Sequence, residues 1–311
     1  MLYAGTTWII SFKYLILNDI VKKLKQWSIS AGNIFIKNGT SETLCNEIVV
    51  NTNNINVISV HVPKHLKPVN DDQFGHYLAG LIDSKGHFSN RQQLVIEFDS
   101  LDASLAYFIK KRLGYGKVKK INNKNALLFI VAANKGIINV INLINGKFRT
   151  DNIFNQITNN ILNHDNFVEF NKQISLIFNS SDNFYNHWLA GFSDGYASFQ
   201  ITISNLSDKY NVTLNFNIDQ KYKDILTLIQ NFWGGNLNKD LCYYCSSSFG
   251  SAKNIINYFD KFHLLSSRHV NYLKWRKAFI FIQNESPLSK ERSDKILKLK
   301  NTMNRLNDTT I

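Results

Sequence analysis

Apolar and polar positions alternate along this chain with two periods, and the order in which those periods change is the same twice. Period-two alternation in "QLVIEFD" (93–99) predicts a half-buried strand, and the 3.6-residue spacing of "DASLAYFIKKRLG" (102–114) predicts an amphipathic helix. A strand at "GKVKKI" (116–121), an apolar strand at "ALLFIVA" (126–132), a helix at "GIINVINLINGK" (136–147) and a polar helix at "DNIFNQITNNIL" (151–162) follow. The second series runs "NVTLNFNID" (211–219), "DILTLIQNFWGG" (224–235), "GNLNKD" (235–240), "CYYCSSS" (242–248), "AKNIINYFDKF" (252–262) and "HVNYLKWRKAFIFI" (269–282), in matching order.

Each series is introduced by the same motif. "HYLAGLIDSKGHF" (76–88) returns as "HWLAGFSDGYASF" (187–199), 111 positions later. The chain is therefore read as a duplication, with an N-terminal extension (1–70), a first half (71–162), a linker (163–185) and a second half (186–311). Each half reads helix–strand–strand–helix–strand–strand–helix, an α+β architecture. Pro63 and Pro68 predict an extended lead-in to the first motif. Within the motifs, Ala79-Gly80 and Ala190-Gly191 recur in register. Glycine inside a helix costs about 1 kcal/mol, so a close helix–helix approach is expected to offset it, one motif helix against the other.

Composition adds a partner and an origin. A net charge of +13 on 311 residues points to a polyanion, nucleic acid before an acidic membrane. Asn makes up about one residue in eight and Pro only three in all, the skew an A/T-rich gene produces, so an organellar, mitochondrial origin is expected. Three cysteines (Cys45, Cys242, Cys245) form no disulfide framework, and Cys242-x-x-Cys245 lacks the second ligand pair of a zinc site. The apolar run "TTWIISFKYLILNDIVKKLKQW" is too interrupted to span a membrane. It reads as an amphipathic helix docking on protein, with a peripheral membrane contact as the alternative.

The paired motifs and the elements after them, from about residue 74 onward, resemble the LAGLIDADG homing endonucleases of the single-chain, two-motif kind. The resemblance implies two pseudo-symmetric αββαββα halves, antiparallel sheets forming a saddle over nucleic acid, and motif helices packed at the centre. In active members the residue before the final glycine of each motif is an acid, and the two acids bind divalent metal for phosphodiester hydrolysis. Here those positions hold Lys85, before Gly86, and Tyr196, before Ala197. An ammonium repels a cation and a neutral phenol is a poor ligand for one, so no catalytic residue and no metal ligand is assigned. Mg²⁺ is expected only if cleavage persists. Asp83 and Asp194, two residues earlier and about 200° around the helix, are read as structural, ordering the turn after each helix. Lys85 is expected to bind a phosphate as a point charge.

Strand phase gives further candidates. In 211–219 the apolar residues take one face, leaving Thr213, Asn215, Asn217 and Asp219 on the other, joined by Thr202, Ser204, Asn236 and Asn238 with Lys239 nearby. Amides and hydroxyls suit base edges and sugar–phosphate groups. In the first half His87, Ser89, Arg91, Lys117 and Lys119 are candidate contacts, while "QLVIEFD" aims Glu97 and Asp99 at the same side. That half is read as having drifted toward irregular RNA or protein. The expectation is a nucleic-acid-binding protein without nuclease activity, RNA favoured over DNA, acting as an intron maturase or as a structural part of an organellar ribonucleoprotein. The alternative is a site-specific DNA endonuclease.

Overall fold

The computed structural model describes residues 57–206, 209–238, 243–284 and 288–303. The expected N-terminal helix, Cys45, Cys242 and Lys239 lie outside them.

The first half opens with α1 (Asp71–Lys85), followed by β1 (Gly86–Ser89), β2 (Gln93–Asp99), α2 (Ala103–Leu113), β3 (Lys117–Lys120), β4 (Ala126–Val131), α3 (Asn134–Ile144) and α4 (Asp151–Gln156). Asn70 caps α1 by accepting from the Gln73 N–H at 2.8 Å, and Asp71 and Asp72 complement its N-terminal dipole. The polar helix expected at 151–162 is α4 continued as a π-turn over Ile157–Leu162. A short α5 (Val168–Gln173) lies in the linker. The second half repeats the order with α6 (Trp188–Tyr196), β5 (Ala197–Leu206), β6 (Lys209–Asp219), α7 (Lys223–Trp233), β7 (Asn236–Asn238), β8 (Tyr243–Ser246), α8 (Phe249–Phe259) and α9 (Arg268–Asn284); α10 (Lys290–Thr302) follows.

Each half builds one antiparallel four-stranded sheet, in the orders β1-β2-β4-β3 and β5-β6-β8-β7. One face of each sheet is buried under helices. In the first, Leu94, Ile96, Phe98, Phe129 and Val131 join Leu105 and Ile109 of α2 and Ile137, Val140 and Ile141 of α3 in the core. In the second, Phe199, Phe216, Trp233, Phe259, Tyr272 and Trp275 form a continuous aromatic cluster. The edge strand β1 is too short for periodicity to reveal. Its outward backbone is satisfied by side chains: Phe88 N–H donates to Gln156 at 2.7 Å and Phe88 C=O accepts from Asn160 at 2.7 Å.

The lead-in is extended, as its prolines predict, and is tied to the second half. Ile58 exchanges two hydrogen bonds with the Gln283 amide (2.8 and 3.0 Å), and Arg276 donates to the carbonyls of Ser59 and His61. Arg276 is itself buried and paired with Asp260 at 2.8 Å. No helix of the described residues is long and apolar enough to cross a membrane.

Candidate nucleic-acid interface

The site is built on the crossing of α1 and α6, the most extensive helix–helix contact in the described chain. The close approach expected from the small residues is present and reciprocal. A Cβ added at Gly80 would lie 1.9 Å from the Trp188 carbonyl oxygen, and one at Gly191 would lie 1.9 Å from that of Tyr77. Any other residue at either position drives two backbones apart.

The two motif aspartates lock this crossing. Asp83 accepts from the Arg149 and Thr150 N–H groups (2.7 and 3.2 Å), the Thr150 hydroxyl (2.7 Å) and the Trp188 indole (2.8 Å). Asp194 accepts from the Leu265 and Ser266 N–H groups (2.7 and 3.3 Å), the Ser266 hydroxyl and the Tyr77 phenol (2.6 Å). Each carboxylate therefore takes one bond from the aromatic residue of the opposite motif helix and three from a distant segment of its own half. This corrects the reading that they order the turn directly after the helix: the nearest of their partners lie some 70 residues away in sequence. Both are buried, Asp83 2 % and Asp194 0 % exposed. Burial pushes Asp83 up to about 7, against the pull of its four hydrogen bonds. Burial likewise raises Asp194, opposed by Ser266, Tyr77, Leu265 and the Arg268 guanidinium. With their acceptor capacity used by fixed donors, neither is arranged to ligate an ion.

Lys85 and Tyr196 stand at the C-terminal ends of α1 and α6. The Lys85 ammonium is half-buried, 4.8 Å from the centre of the Phe98 ring. Burial first, then the neighbouring Arg268 charge, holds it below the usual lysine range, while Asp102, Asp194 and Asp99 pull it back. Tyr196 is 51 % exposed. A donor-only ammonium and a neutral phenol do not fit a hard dication, and among the described residues no group of three or more His, Cys, Asp or Glu is arranged to hold a metal.

Arg268 was not anticipated from the sequence. It reaches the end of α6, donating to the carbonyls of Ala197 (2.9 Å) and Asp194 (3.1 Å), and its charge is balanced by the buried Asp102 at 3.5 Å. Gln220, also missed, donates to the Ser84 carbonyl at 3.0 Å and fixes the end of α1.

Strand register assigns the faces. Cross-strand pairs His87–Val95, Ser89–Gln93, Lys117–Ile130 and Lys119–Leu128 put His87, Ser89, Lys117 and Lys119 on the open side of the first sheet, with Glu97 and Asp99, although the Ser89 hydroxyl is buried there with no partner. Arg91 is exposed in the β1–β2 turn. On the second sheet, the pairs Thr202–Thr213, Ser204–Asn211, Gln200–Asn215, Ser198–Asn217, Asn236–Cys245 and Asn238–Tyr243 align every predicted polar residue within the described chain on one open face. Ser198, Gln200, Tyr243 and Cys245 join them. Asn217 differs from expectation: it is 6 % exposed, and its amide oxygen is buried with no partner. The two open faces are unlike. The second is mostly amide and hydroxyl, with the Cys245 thiol and the exposed Asp219 carboxylate among them, whereas the first sets Val95, Leu128 and Ile130 among its charges.

Comparison with known proteins agrees with this geometry. The profile described as LAGLIDADG endonuclease matches residues 189–279. The cox1 intron-2 37.2 kDa protein of Schizosaccharomyces pombe is 56 % identical over 313 aligned positions, covering 96 % of this chain and 95 % of that protein. The intron-encoded DNA endonuclease aI3 of Saccharomyces cerevisiae is 27 % identical, over 75 % of this chain and 69 % of its own. Among solved structures, the LAGLIDADG homing endonuclease I-LtrWI bound to target DNA superposes with a TM-score of 0.60 at 21 % identity, covering 76 % of this chain and 99 % of that one. The meganuclease I-CpaMI bound to uncleaved DNA gives 0.57 at 20 % identity, over 74 % and 99 %. The chain belongs to the LAGLIDADG family of intron-encoded proteins and has that family's two-half, saddle-forming fold.

Proposed function

We propose that this protein binds nucleic acid across the open faces of its two sheets without cutting it, and that its target is structured RNA, as for an intron maturase or a structural part of a mitochondrial ribonucleoprotein. The observation that carries the reading is the pair of helix ends. Phosphodiester hydrolysis by this fold calls for oxygen ligands where α1 and α6 end, and the residues there are the Lys85 ammonium and the Tyr196 phenol. The nearest acids of the motif, Asp83 and Asp194, are engaged in holding the helices together.

Binding is supported by charge and chemistry that do not depend on a metal. The chain carries +13, with Lys117, Lys119 and His87 on one open face and an amide-rich surface on the other. The unlike faces favour an irregular RNA over a continuous duplex, because carboxylates and aliphatic side chains on the first sheet oppose a row of phosphates. The S. pombe relative bears the name of a cox1 intron protein, which supports an intron-linked, mitochondrial role.

The test is a direct comparison. The purified protein should bind structured RNA with an affinity that falls steeply with salt, and it should leave duplex DNA carrying its gene's insertion site intact in Mg²⁺ or Mn²⁺. The rival reading is site-specific DNA cleavage, the activity named for the S. cerevisiae relative. Metal-dependent cleavage by the unaltered chain would establish it.

A further inference from the structure

Where the two halves meet, the saddle holds a cavity of about 310 Å³, at the lower end of the range of small-ligand sites. Its walls come from both halves: Lys85, Val95, Glu97, Asp99 and Leu128 from the first, Tyr196 and Arg268 from the second. Glu97 and Asp99 project from alternate positions of β2, paired across the sheet with Leu128 and Ala126. Both are exposed, and Asp99 is close enough to Lys85 to favour its charged form.

Two carboxylates in a nucleic-acid saddle repel phosphate, so a backbone phosphate is the wrong occupant. The cavity wall carries both signs, Lys85 with the Asp102-paired Arg268 on one side and Glu97 and Asp99 on the other. A neutral group is favoured, one that presents adjacent donors to a carboxylate and adjacent acceptors to a cation. Among the bases only guanine does both, with N1–H and N2–H₂ side by side on its Watson–Crick edge and O6 and N7 side by side on its major-groove edge; lysine and arginine are standard partners of O6 and N7. Val95 and Leu128 supply an apolar wall and the exposed Tyr196 ring a stacking surface, the combination by which unpaired RNA bases are held.

We propose that this cavity is a receptor for one unstacked guanine: Glu97 or Asp99 accepts from its N1–H and N2–H₂, Lys85 donates to O6 and N7, and Tyr196 covers the ring. The site rests on the nucleic-acid-binding reading above and narrows it. The carboxylates that count against duplex binding on the first sheet become the groups that select a base. Lys85, at the family's acid position, acts here on a base edge in place of a phosphate.

The test uses the intact protein and a set of RNA hairpins that differ only in one bulged nucleotide: guanine, inosine, adenine, cytosine or uracil. Guanine is expected to bind roughly ten- to a hundred-fold tighter than adenine, cytosine or uracil, with inosine, lacking the N2 amine, between them. Combined Glu97→Gln and Asp99→Asn should abolish the guanine preference without weakening the other hairpins. Equal affinity for all five hairpins by the unaltered protein would overturn the proposal whatever the variants do, as would a guanine preference that survives in the double variant. Failure to bind any hairpin at low salt would instead remove the nucleic-acid reading, and this site with it.

Discussion

The Tyr77 hydroxyl of one motif helix donates to the Asp194 carboxylate of the other at 2.6 Å, and the Trp188 indole returns the same contact to Asp83 at 2.8 Å. This exchange couples the two halves through buried hydrogen bonds. Tyr77→Phe leaves Asp194 one donor short and should cost about 1–3 kcal/mol, seen as a fall in Tm of about 2–4 °C for each kcal/mol. Ser266→Ala removes another donor from the same carboxylate, so the two losses should be non-additive in a double-mutant cycle. Strict additivity would argue against a shared network.

The glycine pair gives a contrast of sign. Gly→Ala inside a helix ordinarily stabilises by about 0.5–1 kcal/mol. Gly250, in α8, has open space where a Cβ would go and should behave that way. Gly80→Ala and Gly191→Ala should instead destabilise by about 1–3 kcal/mol or more, since the methyl meets fixed backbone. Chemical denaturation of the three variants checks the ordering.

Stability should decline in acid through the histidines at the base of α9. His65, His263 and His269 cluster with ring centres 4.2–5.9 Å apart. Burial, then the charges of His65 and His263, lowers His269 to about 4. His263 is lowered by burial and by His65, with Asp260 opposing. A depressed folded-state pKa means this contribution is complete above about 6.5 and is lost as pH falls toward 4. Asp83, raised to about 7, works in the opposite sense across the same window, so the parent's total slope mixes both. His269→Asn isolates the histidine part: below pH 6.5 its Tm should fall less steeply with acid than the parent's.

The helix ends can be tested by restoring oxygen ligands. Lys85→Asp combined with Tyr196→Asp should create Mg²⁺ binding, measured by calorimetric titration against the parent, for which none is expected. If the double variant binds no Mg²⁺ while remaining folded, the two side chains do not converge as the fold implies.

What the sequence could show follows from the range of the interactions involved. The duplication, the α1–α6 contact and the polar face of β6 rest on local periodicity and a repeated small-residue pair, so they are legible from one chain. The face of β2 that carries Glu97 and Asp99 is legible for the same reason. The four-residue β1 is too short to show a period. The partners of Asp83 and Asp194 lie tens of residues away, and nothing around Thr150 or Ser266 marks them as donors to a motif carboxylate. Arg268 stands in "SSRHV" with no local pattern pointing to the saddle; only the loop held by Asp194 brings it there. Asn217 has the right strand phase but is enclosed, which alternation cannot reveal.

RNA binding without DNA cleavage is decided by crosslinking the protein to nucleic acid in its native host, purifying it under denaturing conditions and sequencing what is attached. The expected result is reads concentrated in one intron RNA or one region of ribosomal RNA, with unpaired guanines at the crosslink sites. Recovery of a single DNA site, cut in the presence of the protein, would contradict it.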